Sequence, residues 1–135
     1  MRFLLDTNIC IYLMKGHPRQ VVERFTAIPL GRVQMSAVTY AELRHGVERC
    51  PPDDRTAADD ALQRFIERVP VVPFHADAAK SYGVLAAAVP DRRRNAMDRL
   101  IAAHAVSAGV TLVTNNEADF KDYPGLVVEN WAVSL

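Results

Sequence analysis

This chain of 135 residues is short of several things, and each shortage narrows its possible roles. It has two cysteines, Cys10 and Cys50, with neither metal-type spacing nor numbers enough for a disulfide framework. Two free thiols in a reducing cytoplasm are expected. It has no net charge, with 16 basic side chains against 16 acidic ones. No global positive field therefore draws it onto nucleic acid, and any polyanion must be held by a local basic patch. No apolar run approaches the roughly 20 residues that a membrane span needs. The first run, Phe3-Leu4-Leu5, stops at Asp6, which is not the pattern of a secretory signal. There is no G-x-S-x-G nucleophile motif and no glycine loop of the kind that cradles phosphate. His17, His45, His75 and His104 fall in different elements, so nothing pairs two of them as acid and base on a ribose hydroxyl. Repeats, linkers and low-complexity tracts are missing too. One domain, residues 1–135, is expected, long enough to bury a real core.

What is present is an alternation of strand-length apolar runs and helical patterns, which predicts an α/β fold. A central parallel sheet of four to five strands would be flanked by helices. Strands are expected at Arg2 to Leu5, Val33 to Met35, Val71-Val72, Val110 to Val113 and Leu126 to Val128. The first helix, Ile9 to Lys15, is closed by Gly16 and Pro18, and a second runs from about Pro18 to Ala27. A third reaches about Glu48 with Tyr40, Leu43 and Val47 on one stripe. Pro51-Pro52 breaks it, and Asp53 or Asp54 is the expected N-cap of a helix to Arg68. That helix buries Leu62, Phe65, Ile66 and Val69. A helix from Asp77 to about Val89 precedes a charged loop, Pro90 to Asn95. The alanine-rich helix after it, about Ala96 to Ala108, is apolar on nearly all sides and is placed in the core.

Four carboxylates stand at or just beyond the C-terminal ends of strands, or in the first turns of the helices that follow: Asp6, Glu42, Asp98 and Asp119. In an open parallel sheet those ends share one crevice, where ligands bind. Two charges about 5 Å apart repel by roughly 3 kcal/mol at an effective dielectric near 20, so an unshielded meeting is costly. A hard divalent cation, Mg²⁺ or Mn²⁺, removes that cost with oxygen ligands. Each acid also has an ordinary structural reading. Asp6 fits an N-cap, and Asp98 fits a capping box with Asn95. Glu42, on a face with Val38, His45 and Gly46, fits a solvent-facing residue, and Asp119 fits a surface turn. Asp98, however, projects over Ile101, Ala102 and Ala105, where a solvated carboxylate is out of place. The shared location is the argument.

Phe3-Leu4-Leu5-Asp6-Thr7-Asn8-Ile9, Ala41-Glu42-Leu43-Arg44-His45-Gly46 and Asp98-Arg99-Leu100-Ile101-Ala102-Ala103-His104-Ala105 carry a resemblance. So do Leu112-Val113-Thr114-Asn115-Asn116-Glu117-Ala118-Asp119-Phe120 and the ending Val127-Val128-Glu129-Asn130-Trp131. Together they resemble a PIN-domain ribonuclease of the VapC toxin type, the toxin half of a type II toxin–antitoxin pair. The resemblance covers the whole chain in order. It implies an endoribonuclease dependent on Mg²⁺ or Mn²⁺, with Asp6 and Asp98 as principal ligands and Glu42 and Asp119 in support. Thr7, Thr114, Asn115 and Asn116 match polar positions bordering that site. A cognate antitoxin, an RNA substrate and a homodimer within a larger toxin–antitoxin assembly are also implied. Many such toxins lead into the Asp98 helix through a Gly-Pro-rich turn, where this chain has Asp91-Arg92-Arg93-Arg94-Asn95-Ala96-Met97. Arg92, Arg93 and Arg94 offer planar forks for phosphate oxygens beside the acids, or a contact for an acidic partner. Arg44, Arg49 and Lys121 are weaker candidates for the same rim.

Other readings compete. A haloacid-dehalogenase-like phosphatase wants a second Asp two residues after the first, and Asn8 stands there. A receiver-like phosphoacceptor wants paired acids beside Asp6 and a lysine after the last-but-one strand, and both are missing. A catalytically inactive PIN-like binding module stays open, although all four acids are in place. With a nucleophile motif and a histidine pair absent, hydrolysis by water activated on the cation is the expected chemistry.

Overall fold

The computed structural model describes residues 2–90 and 96–133. Five parallel strands run β1 (Phe3–Leu5), β2 (Val33–Ser36), β3 (Val71–Val72), β4 (Thr111–Val113) and β5 (Val128–Glu129). They lie in the order β3-β2-β1-β4-β5. The chain therefore builds outward on one side of β1, then returns to start again on the other. The connections are helical: α1 (Thr7–Lys15), α2 (Arg19–Thr26), α3 (Ala37–Glu48), α4 (Pro52–Arg68), α5 (Ala76–Ala88), α6 (Ala96–Ala108) and the short α7 (Glu117–Phe120). Gly16 closes α1 in the left-handed conformation at φ 77°, which glycine adopts without steric cost.

A sheet buried on both faces needs apolar residues on both sides of each strand. β1 supplies them by alternation. Phe3 and Leu5 enter a core with Ile9, Val21, Phe25, Leu43, Leu62 and Phe65, from α1 to α4. Leu4 enters the opposite core with Leu85, Ile101, Ala102, Phe120 and Tyr123, from α5 onward. Trp131 packs edge-on against Phe3, with ring centroids 5.5 Å apart, and its indole N–H donates to Glu129 Oε1 at 3.0 Å. Arg24 pairs with the same carboxylate. The C-terminal segment is thereby fixed to α2.

Most sequence-derived boundaries hold within a residue or two. The α4 N-cap is Pro51, so Asp53 and Asp54 lie inside the first turn. There they face the positive end of the helix dipole, which is the reason acids favour that turn. The last strand sits later than expected, because Val128 and Glu129 are the residues in register with Leu112 and Val113. Four-residue α7 was not foreseen, being too short to show a period. Both cysteines are free, Cys10 fully buried. Among the described residues, no helix is long and apolar enough to cross a membrane. The Arg92-Arg93-Arg94 triplet lies outside the described residues.

Leu4→Ala should cost about 2–5 kcal/mol, the range for a buried leucine that leaves a cavity. The transition is to be read in urea by the fluorescence of Trp131, the sole tryptophan, which belongs to the other core. One cooperative transition shifted to lower urea is expected. A Trp131 transition that stays put while helical signal melts early would mean that the two cores unfold separately.

Candidate active site

Asp6 is where β1 ends. Its backbone N–H donates to Val113 O at 2.9 Å, and its carbonyl accepts from Cys10 N at 3.1 Å as α1 begins. The residue is 4% exposed. Oδ1 accepts from Thr7 N at 2.7 Å, so Asp6 does cap α1. Oδ2, which the cap leaves over, accepts from Thr114 Oγ1 at 2.8 Å. Thr114 directly follows β4, and β1 and β4 flank the point where the chain reverses its direction of build-up. That is the switch point at which open parallel sheets bind ligands.

The other acids reach the same edge from separate helices. Glu42, half-buried in the second turn of α3, accepts from Thr7 Oγ1 at 2.7 Å. Thr7 thus ties two of the acids together, through its N–H to Asp6 and its hydroxyl to Glu42. Asp98 is half-buried in the first turn of α6. Asp119 is exposed on α7 and accepts from the side-chain amide of Asn116. Asn116 N in turn donates to Thr114 Oγ1 at 3.1 Å. Asn115 faces another way, donating to the Tyr12 hydroxyl at 2.7 Å.

The electrostatics show the convergence. The Asp98 carboxyl is pushed up to about 6, first by burial and then by the charges of Asp6, Glu42 and Asp119. Asp6 is also raised, by burial above all. Its bonds from Thr114 and Thr7 pull the other way, and Glu42 and Asp119 add to the rise. Among the described residues no three His, Cys, Asp or Glu side chains are clustered tightly enough to ligate one ion as they stand. Asp6 and Asp98 are thus within electrostatic reach of each other and of Glu42 and Asp119, without forming a ready-made ligand set. That arrangement fits Mg²⁺, which keeps several waters and is commonly held by one or two carboxylates. Both Asp6 oxygens keep a free lone pair, since each accepts one hydrogen bond here.

A groove of about 790 Å³ opens beside the acids. Thr7, Glu42 and Met97 line it, with apolar Ile11, Met14, Leu43 and Val47 and basic Lys15 and Arg49. Arg44 is engaged elsewhere, paired with Asp59 and, at 3.5 Å, with Glu48. Lys121 is exposed at the end of α7. Sequence reasoning passed over Thr39, fully buried with its hydroxyl 3.5 Å from that of Thr7. It also passed over the bond between Ser36 and His104. A serine at a strand-to-helix boundary signals a cap, but nothing in the sequence signals its partner 68 residues away.

Residues 3–126 match the PIN domain family. The chain belongs to that family. This PIN domain is 37% identical to the tRNA(fMet)-specific endonuclease VapC of Shigella flexneri over 134 residues, covering 98% of this chain and 99% of that one. It is 32% identical to ribonuclease VapC2 of Rickettsia felis, over 97% and 98% of the two chains. Its structure is similar to that of VapBC2 from Rickettsia felis bound to a DNA fragment from their promoter. The TM-score is 0.87 at 31% identity, with 97% and 99% of the chains covered.

The raised acids give a pH prediction. Unfolded, Asp98 titrates near 3.8, and folded near 6, so between those values the native state binds the extra proton. Its contribution to stability therefore grows as pH falls through 6 toward 4 and is lost as pH rises. Metal-free protein should melt higher at pH 5 than at pH 7.5 on this account, and Asp98→Asn should melt at or above wild type at pH 7.5 with a flatter profile. A lower melting temperature for Asp98→Asn at pH 7.5 would show that the carboxylate is a structural cap.

Proposed function

We propose that this PIN domain, acting as one unit over residues 1–135 in the cytoplasm, is an Mg²⁺- or Mn²⁺-dependent endoribonuclease and the toxin of a type II toxin–antitoxin module. One observation carries the reading. Carboxylates from the end of β1, from α3, from α6 and from α7 act on one another at the C-terminal edge of a parallel sheet. The names of the relatives, endonuclease and ribonuclease, support the activity class.

Asp6 and Asp98 would hold the cation, with Glu42 and Asp119 supporting it. When bound, the cation lowers the pKa of a water it carries and neutralises charge on the scissile phosphate. The chain's own groups set the geometry. Thr114 and the Thr7 N–H hold both oxygens of Asp6, and the Thr7 hydroxyl orients Glu42. Asn116 orients Asp119, while Asn115 stiffens the neighbouring turn against Tyr12. Arg92, Arg93 and Arg94, four to six residues before Asp98 in the sequence, are proposed to grip backbone phosphates.

A cognate antitoxin would lie in the groove between α1, α3 and α4. Its apolar lining suits a peptide segment, and at Thr7 and Glu42 a basic side chain of the partner would stand in for the cation. The similarity to VapBC complexes supports such a partner. A homodimer within a larger assembly belongs to the same reading. Initiator tRNA is the first substrate to try, since two relatives are named for that specificity.

Purified protein should be inactive in EDTA and regain RNase activity with Mg²⁺ or Mn²⁺, and Asp6→Asn should lower kcat by at least about a hundredfold without loss of fold, a loss of about 2.7 kcal/mol in transition-state stabilisation. The products should carry a 5′-phosphate and a 3′-hydroxyl. Undiminished cleavage in EDTA, or cyclic 2′,3′-phosphate ends, would overturn the mechanism. Cation binding with no cleavage of any RNA would leave a binding module.

A further inference from the structure

We propose that the buried Ser36–His104 pair sets the spacing between the Glu42 and Asp98 carboxylates, which makes His104 a positioning residue for the acidic site. The inference rests on the metal-dependent reading above. His104 Nδ1 and Ser36 Oγ lie 2.7 Å apart, on residues 6% and 0% exposed. Ser36 ends β2 and caps α3, its Oγ accepting from Val38 N at 3.1 Å. A hydroxyl has one donor and two acceptor sites, so the cap leaves an O–H and a lone pair for the imidazole. The bond is then satisfied with either ring tautomer. Phe74 holds the ring edge-on, with centroids 5.5 Å apart.

The register of the two helices gives this bond its reach. Glu42 lies six residues after Ser36 on α3, and Asp98 lies six residues before His104 on α6. Each interval is about 9 Å of helix. The polar pair and the carboxylate pair are two rungs between the same helices, and a stiff helix carries a shift at one rung to the other. Around His104, Ile101, Ala102, Ala103 and Ala105 are fully buried on all sides of α6 and, apart from Ile101, are small. Small apolar side chains supply packing area but tolerate sliding, whereas a buried hydrogen bond selects one register. The acids cannot hold that register for themselves, because they repel.

The test compares His104→Phe, which keeps a ring against Phe74 and removes the bond, with His104→Asn, which keeps a polar atom near the Nδ1 position. In metal-free protein, the side-chain carboxyl ¹³C signals of both Glu42 and Asp98 should move in His104→Phe and return toward wild type in His104→Asn. Calorimetric Mn²⁺ affinity should fall roughly tenfold in His104→Phe, as it does when residues supporting metal ligands are lost. His104→Asn should recover most of that loss, and in a Ser36→Ala background His104→Phe should add little. A His104→Phe protein that melts lower yet keeps both carboxyl signals and its Mn²⁺ affinity overturns the proposal, since the residue then only fills space. Should that variant not fold, Ser36→Ala against Ser36→Thr makes the same comparison with the ring in place. A wild type that binds no Mn²⁺ overturns the nuclease reading instead, and the metal-free spectra still decide the coupling.

Discussion

Placing the Asp6 carboxylate at the tip of the central strand costs desolvation, and the rest of the acidic edge is arranged around that cost. Burial raises its pKa, and the two bonds it accepts pull the other way without cancelling the rise. One bond comes from the helix it starts and one from the neighbouring strand, so the residue is bound on both sides of the switch point. A carboxylate so fixed cannot swing away from other charges. Glu42, Asp98 and Asp119 then converge on a group that repels them, which in a stable domain calls for a counter-charge. A divalent cation is the compact way to supply it.

The acids come from both layers of the molecule. Asp6 and Glu42 belong to segments whose apolar residues fill the first core, whereas α6 and α7, bearing Asp98 and Asp119, pack in the second. Their spacing is therefore not a local matter but the outcome of how both faces pack against β1. The edge of the sheet is where the layers meet, and hydrogen bonds across it do what apolar packing cannot. Thr114 to Asp6 links β4 to β1, and Ser36 to His104 links β2 to α6. On the proposed reading, contacts of this kind would fix the register on which ion binding depends.

Much of this was legible in the chain because it is written as periodicity. Phe3, Leu4 and Leu5 form a run apolar on both faces, as a doubly covered strand requires, and the all-round apolar character of Ile101 to Ala105 placed α6 inside. Asp98 was suspect for the same reason, a charge over a buried face. Glu42 was harder. Its helical face reads as solvent, and only the fold reveals Thr7 beside it, 35 residues away. The Ser36–His104 bond was invisible, since a long-range polar contact leaves no local pattern. Short β5 slipped because a two-residue strand is defined by its partner, β4, and not by its own composition.

Neutral overall charge now takes on a meaning. A polyanionic substrate approaching this domain meets no attractive field, and without a cation it meets four acids. Several of the basic side chains are already spent inside the fold: Arg24 on Glu129, Arg44 on Asp59, Arg55 on the carbonyls of Glu48 and Cys50. Phosphates would then be held by local groups among the other basic side chains, and each phosphate neutralised adds to the salt dependence of binding. Neutral charge also suits the proposed toxin: an enzyme that does not adhere to RNA through bulk charge would be restrained by covering one edge of one sheet, where cation and substrate would enter together.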